Sequence, residues 1–151
     1  MISFVRALVW LPLAGGAAPA LAAPPAVSDA WIRATPPGAV TAAAYLSITS
    51  PAADRLVGAA TPAAHAVEIH TNAVERGTQR MVRLAELTLP AGEALRLEPG
   101  GLHLMLIDLV QPLKPGTKVV LSLRFAEAGT VEIEAPVVDA RAGAPLTHAG
   151  H

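Results

Sequence analysis

Proline and glycine cut this chain into short pieces, and between the cuts apolar and polar residues alternate. There are fourteen prolines and twelve glycines among 151 residues. Proline fixes φ and removes a backbone donor, so long helices are disfavoured. The breaks Thr35-Pro36-Pro37-Gly38, Ser50-Pro51, Leu89-Pro90-Ala91-Gly92, Glu98-Pro99-Gly100-Gly101 and Lys114-Pro115-Gly116 carry turn chemistry. Between them, period-two runs predict strands over 30–34, 43–49, 55–60, 66–71, 81–89, 94–97, 102–109, 118–125 and 130–135. No segment has the pattern of a long amphipathic helix. Short strands at this spacing predict an all-β sandwich or barrel.

The run 118–125 is the clearest example. Val119, Leu121, Leu123 and Phe125 share one face while Lys118, Ser122 and Arg124 share the other, so one side is core and the other meets water. Aromatic residues are few, and Trp31, Tyr45 and Phe125 are the expected core anchors. There is no cysteine, so no disulfide staples the fold and thiolate chemistry is excluded: no zinc-thiolate site, no redox dithiol, no iron–sulfur cluster.

Residues 1–22 place Arg6 before an apolar stretch and end in Ala20-Leu21-Ala22, the order of a secretory signal peptide with an A-x-A cleavage site. The alternative, an uncleaved membrane anchor, needs about 20 continuous apolar residues. Pro12, Gly15, Gly16 and Pro19 interrupt this segment, so no stable membrane insertion is expected after cleavage. Export to the periplasm follows. The expected organisation is a signal peptide (1–22), an N-terminal arm (23–29), one β domain (30–140) and a flexible tail (141–151). The formal charge of -1 is scattered rather than blocked, so the chain lacks the basic face that a nucleic-acid partner requires.

His70, Met81, His103 and Met105 form the pattern H-x10-M-x21-H-x-M, and beyond the leader these are the only methionines. Thioether is a soft ligand and imidazole a borderline one, so two of each favour Cu(I) over harder ions. With no cysteine, a blue-copper electron-transfer site is excluded. In the predicted strand 102–109, His103 and Met105 point the same way, with Cα atoms about 6.6–6.8 Å apart. In 66–71, Val67 and Ile69 face inward, leaving Glu68 and His70 on the wet side. Glu68 is placed either to accept a hydrogen bond from the non-ligating nitrogen of His70, or to pair with Arg83, or to remain solvated. Taken singly, Met81 beside the polar loop 75–80 reads as ordinary core filler, as methionine commonly is.

Rival chemistries lack their residues. A zinc enzyme needs three nitrogen or oxygen ligands and an open water position, and His65, His148 and His151 lack zinc-motif spacing. No G-x-S-x-G surrounds Ser28, Ser47, Ser50 or Ser122, and there is no glycine-rich phosphate loop. Nothing in the chain has the pattern of an enzyme. A periplasmic copper buffer or resistance protein, and a metal-free β-sandwich interaction module, are the competing readings.

The spacing of the four donors, together with Ala30-Trp31-Ile32-Arg33-Ala34, Ala43-Ala44-Tyr45-Leu46-Ser47-Ile48, Val67-Glu68-Ile69-His70 and Pro99-Gly100-Gly101-Leu102-His103-Leu104-Met105-Leu106, resembles the periplasmic copper A chaperone family, PCuAC. The likeness runs from about Ala30 to Glu134. It implies a cupredoxin-like Greek-key β-sandwich or barrel holding one Cu(I) through His70, Met81, His103 and Met105. It also implies delivery to the copper A domain of cytochrome c oxidase, alongside a Sco-type copper protein. Two departures stand out. Thr71 and Asn72 occupy positions where many members carry a further methionine, and the His/Met-rich tail is reduced to His148 and His151, which leaves at most a weak Cu(II) site there.

Overall fold

The computed structural model describes residues 23–139, together with 15, 16 and 141. The signal peptide expected over 1–22 and the tail expected over 141–151, with His148 and His151, otherwise lie outside the described residues. Ten strands follow in order: β1 (Ala26–Arg33), β2 (Thr41–Thr49), β3 (Asp54–Ala60), β4 (Ala64–Glu75), β5 (Thr78–Leu84), β6 (Leu87–Leu89), β7 (Ala94–Leu97), β8 (His103–Leu109), β9 (Lys118–Phe125) and β10 (Gly129–Val138). Among the described residues there is no helix.

Seven strands pair in the order β4-β8-β2-β1-β10-β9-β3, and the pairing of Ala59 in β3 with Val67 in β4 closes the ring. β1 and β10 run parallel; the other pairs are antiparallel. Three strands are appended to the barrel, β5 to β4, β6 to β3 and β7 to β2. This is the all-β, cupredoxin-like architecture expected from the alternation and the family resemblance. Closure removes sheet edges and leaves β5 as an open edge beside β4.

The inward rows supply the core. Ile32, Ala44, Leu46, Ile48, Leu56, Leu104, Leu106, Leu121 and Leu123 are almost wholly excluded from water. Each large aliphatic side chain among them contributes about 1.5–3 kcal/mol by leaving water. In β9 the alternation holds as read, with Val119, Leu121, Leu123 and Phe125 buried and Lys118 and Arg124 exposed. Buried Asp54 ties β3 to the β9–β10 turn: its carboxylate accepts hydrogen bonds from the N–H groups of Arg55, Glu127 and Ala128 at 2.7, 2.9 and 3.0 Å.

Four expectations are revised. β1 begins at Ala26, so most of the arm expected over 23–29 is strand: Ala26, Val27 and Ser28 pair with Thr49, Ile48 and Ser47. The register then shifts before Trp31, around Asp29 at φ 54°. Val27 and Ile32 both face the core although five residues apart, a parity change that a bulge produces and a strict period-two reading misses. The predicted single strand 81–89 is two, because Leu84 and Leu87, three apart, both turn inward; β5 pairs with β4 and β6 with β3.

The polar loop expected over 75–80 is a tight hairpin. Glu75 pairs with Thr78 across Arg76-Gly77, whose φ values of 51° and 79° are those of a type I′ turn. Of the expected core anchors, Phe125 joins the central cluster. Trp31 and Tyr45 are buried on the opposite side of the sheet, on the face that carries His103.

Candidate metal centre

His70 in β4 and His103 in β8 are direct register partners. Their rings stand 5.8 Å apart, centroid to centroid, tilted by 58°. Residues two apart on a strand, and register partners on adjacent strands, share a face. The row beside the histidines on one side pairs Glu68 with Met105, and the row on the other side pairs Asn72 with Met81. All four sequence-predicted donors therefore lie on one outer face of the three-strand segment β5-β4-β8. Their settings grade from inside to outside: His103 is 5% exposed, the His70 side chain 13%, Met105 half-buried, and Met81 on edge strand β5 53% exposed.

The expectation of a wet face holds only at the β5 end. Around His103 the face is covered by an aromatic shelf. The Tyr45 ring lies 6.4 Å from the His103 ring, Trp31 packs on Tyr45 at 4.6 Å, and the Arg33 guanidinium sits 5.9 Å over Tyr45. The sequence reading missed this shelf. The signal for it was parity, since Tyr45 alternates with inward-facing Ala44 and Leu46.

Both rings are anchored by residues two positions back along the chain. His103 Nδ1–H donates to the Gly101 carbonyl at 3.0 Å, which leaves its Nε2 lone pair free. His70 Nε2 lies 2.8 Å from Glu68 Oε2, while the other carboxylate oxygen is 3.6 Å from Arg83 Nε, so Glu68 takes up both contacts foreseen for it. The hydrogen bond from His70 holds the Glu68 carboxyl below the usual carboxylate range; burial opposes this less strongly, and the charges of Arg83 and then His70 add to the lowering. His70 Nδ1 is buried and has no hydrogen-bond partner. A buried nitrogen lone pair without a donor is costly unless something else meets it, and a metal ion is one such partner.

Among the described residues no three histidine, cysteine, aspartate or glutamate side chains come together as a metal site. A hard or borderline ion that demands three nitrogen or oxygen ligands finds no cage here. Two imidazoles supplemented by two thioethers form the soft donor set that remains.

A family model described as "Putative lipoprotein LpqE-like" matches residues 25–137. The chain belongs to the LpqE-like family. A curated relative of this LpqE-like chain, "Putative lipoprotein Lxx21020" of Leifsonia xyli subsp. xyli (strain CTCB07), is 34% identical over 114 residues, covering 75% of this chain and 69% of the relative. Among solved structures, the copper-bound PCuAC domain from PmoF2 superposes with a TM-score of 0.63 at 26% identity, over 75% of this chain and 91% of that domain. The Cu(I) form of DR1885 from Deinococcus radiodurans superposes with a TM-score of 0.59 at 32% identity, over 83% of this chain and 85% of that one. The LpqE-like protein thus has the PCuAC fold, as its sequence resemblance implies.

Proposed function

We propose that this LpqE-like protein is a Cu(I) metallochaperone of the periplasm, in which His70, Met81, His103 and Met105 hold one ion for transfer to the copper A centre of cytochrome c oxidase. One observation carries the reading: the buried, unpartnered Nδ1 of His70 lies on the same face as His103 and both methionines, and the nearby Glu68 carboxylate is taken up by His70 Nε2 and Arg83. The copper bound by the PmoF2 domain and the Cu(I) bound by DR1885 support the same cargo. Export is supported by the leader-like residues 1–22 and by the word lipoprotein in the family description.

The proposed role is carriage, with no catalytic step. Four uncharged donors bind a monovalent ion less tightly than thiolates do, so an acceptor rich in thiolate can draw the ion away by ligand exchange. Delivery in company with a Sco-type thiol protein belongs to the same proposal. The test is titration of the purified mature domain with Cu(I) against a competing chelator, followed by mixing the loaded protein with a soluble copper A domain. Stoichiometric binding and movement of copper to the acceptor support delivery. Binding without transfer leaves the storage reading in its place, and no binding removes both.

A further inference from the structure

Glu68 is the carboxylate that the register sets among the four donors. It pairs directly with Met105 and stands two residues from His70 on the same face. Its two oxygens are both engaged, one with His70 Nε2 at 2.8 Å and one near Arg83 Nε at 3.6 Å. An ionised carboxylate can only accept, so the proton of the neutral His70 ring must sit on Nε2. The lone pair is then fixed on Nδ1, the atom that is buried and unpartnered. His103 is fixed the other way round: Gly101 takes its Nδ1 proton and leaves Nε2.

We propose that Glu68 is a positioning residue for the metal: it locks His70 in the Nε2–H tautomer, so that His70 meets Cu(I) through Nδ1 while His103 meets it through Nε2. This rests on the copper reading above and adds to it the donor atoms and the residue that selects one of them. The unlike nitrogens follow from the fold. The two histidines are directly opposed on neighbouring strands, and each is tethered to a different kind of acceptor two residues back along the chain, Glu68 within β4 and Gly101 just before β8. The same contacts keep Glu68 from acting as a hard ligand, because the oxygen that is not holding His70 faces Arg83. The carboxylate charge offsets that of a monovalent ion nearby without an oxygen entering its ligand shell.

The test reads the tautomer before any metal is added. Long-range 1H–15N spectra of the metal-free protein at pH 8 are expected to show His70 protonated on Nε2 and His103 on Nδ1. Glu68→Ala is expected to lose the His70 preference while His103 keeps its own, and to weaken Cu(I) about 10–100-fold in chelator competition, the range usual for loss of a residue that orients a ligand. Glu68→Gln, whose amide oxygen still accepts from Nε2–H, is expected to keep the tautomer and most of the affinity. Finding His70 protonated on Nδ1 in the wild type, or a Glu68→Ala variant that keeps its spectrum and binds Cu(I) as the wild type does, overturns the proposal. If the wild type shows the expected tautomers and yet binds no Cu(I), it is the copper reading that fails, so the two failures are distinct.

Discussion

Met81 and Met105 flank the histidine pair from opposite sides. Met81 pairs with Asn72, one row beyond His70 on edge strand β5, whereas Met105 pairs with Glu68 and Ala43 on β8, which is enclosed by β4 and β2. The two thioethers are chemically alike and mechanically different. Met105 sits in the barrel wall, while Met81 belongs to a strand that has a neighbour on one side only and leaves 53% of the residue exposed. In the proposed transfer an incoming acceptor would reach Met81 before Met105, because the edge strand leaves Met81 exposed.

Met81→Ala is therefore expected to weaken Cu(I) at least tenfold, about 1.4 kcal/mol, while leaving fold stability within about 0.5 kcal/mol. Met105→Ala is expected to weaken Cu(I) by a similar factor and also to cost about 1 kcal/mol of stability, since a half-buried side chain loses packing. Chelator competition and thermal unfolding of the metal-free variants measure the two effects separately. Unchanged Cu(I) affinity in either variant removes that methionine from the site.

In the proposed site protons and Cu(I) compete for the same imidazole lone pairs, so affinity is expected to decline as pH falls from 7.5 to 5. Two histidine ligands make the decline steeper than one. Replacing His70 by Ala should flatten the profile as well as lower it. Competition titrations at four or five pH values measure the slope, and a flat wild-type profile would exclude ligation by both histidines.

The pattern of four donors was legible because strand parity and chain spacing are properties of sequence: His103 and Met105 two apart, Val67 and Ile69 inward, Glu68 and His70 outward. What parity cannot carry is a change of parity. The bulge at Asp29 and the corner between Leu84 and Leu87 each shift the inward set by one residue, and there the predicted strand limits failed. Nor does one sequence say which strands become neighbours. The shelf of Trp31, Tyr45 and Arg33 reaches His103 only because β2 lies beside β8 and β1 beside β2. Read singly, Trp31 and Tyr45 are aromatic residues in strands, and the central core is the default place for them.

Asp54 sets an acid limit on the fold. Burial raises its carboxyl, but the N–H groups of Glu127, Arg55 and Ala128, aided by the Arg55 charge, outweigh that effect and hold it below the ordinary value. The unfolded chain then takes up the proton at a higher pH than the native one does, so stability rises with pH through this window. The contribution is complete above the unfolded carboxyl's titration near 3.9 and is lost as pH falls through the depressed native value. Asp54→Ala is expected to cost about 2–4 kcal/mol at pH 7, since three part-buried N–H groups lose a charged acceptor. Its unfolding free energy should also depend less on pH below about 4.5 than that of the wild type. Urea unfolding at pH 7, pH 4 and pH 3 checks both statements.

Tyr45 lies between Trp31 and His103, with ring separations of 4.6 and 6.4 Å, and is expected to help hold the His103 ring in place. Tyr45→Ala is expected to cost about 3 kcal/mol of stability, because a buried aromatic ring is replaced by a cavity. It should also weaken Cu(I) severalfold through a looser His103. Tyr45→Phe keeps the ring and removes only the hydroxyl, so it is expected to leave both quantities close to wild type. Chemical unfolding and Cu(I) competition on the pair of variants separate the ring's contribution from the hydroxyl's. A Tyr45→Phe protein that loses as much copper affinity as Tyr45→Ala would show that the hydroxyl, rather than the packed ring, matters to the metal.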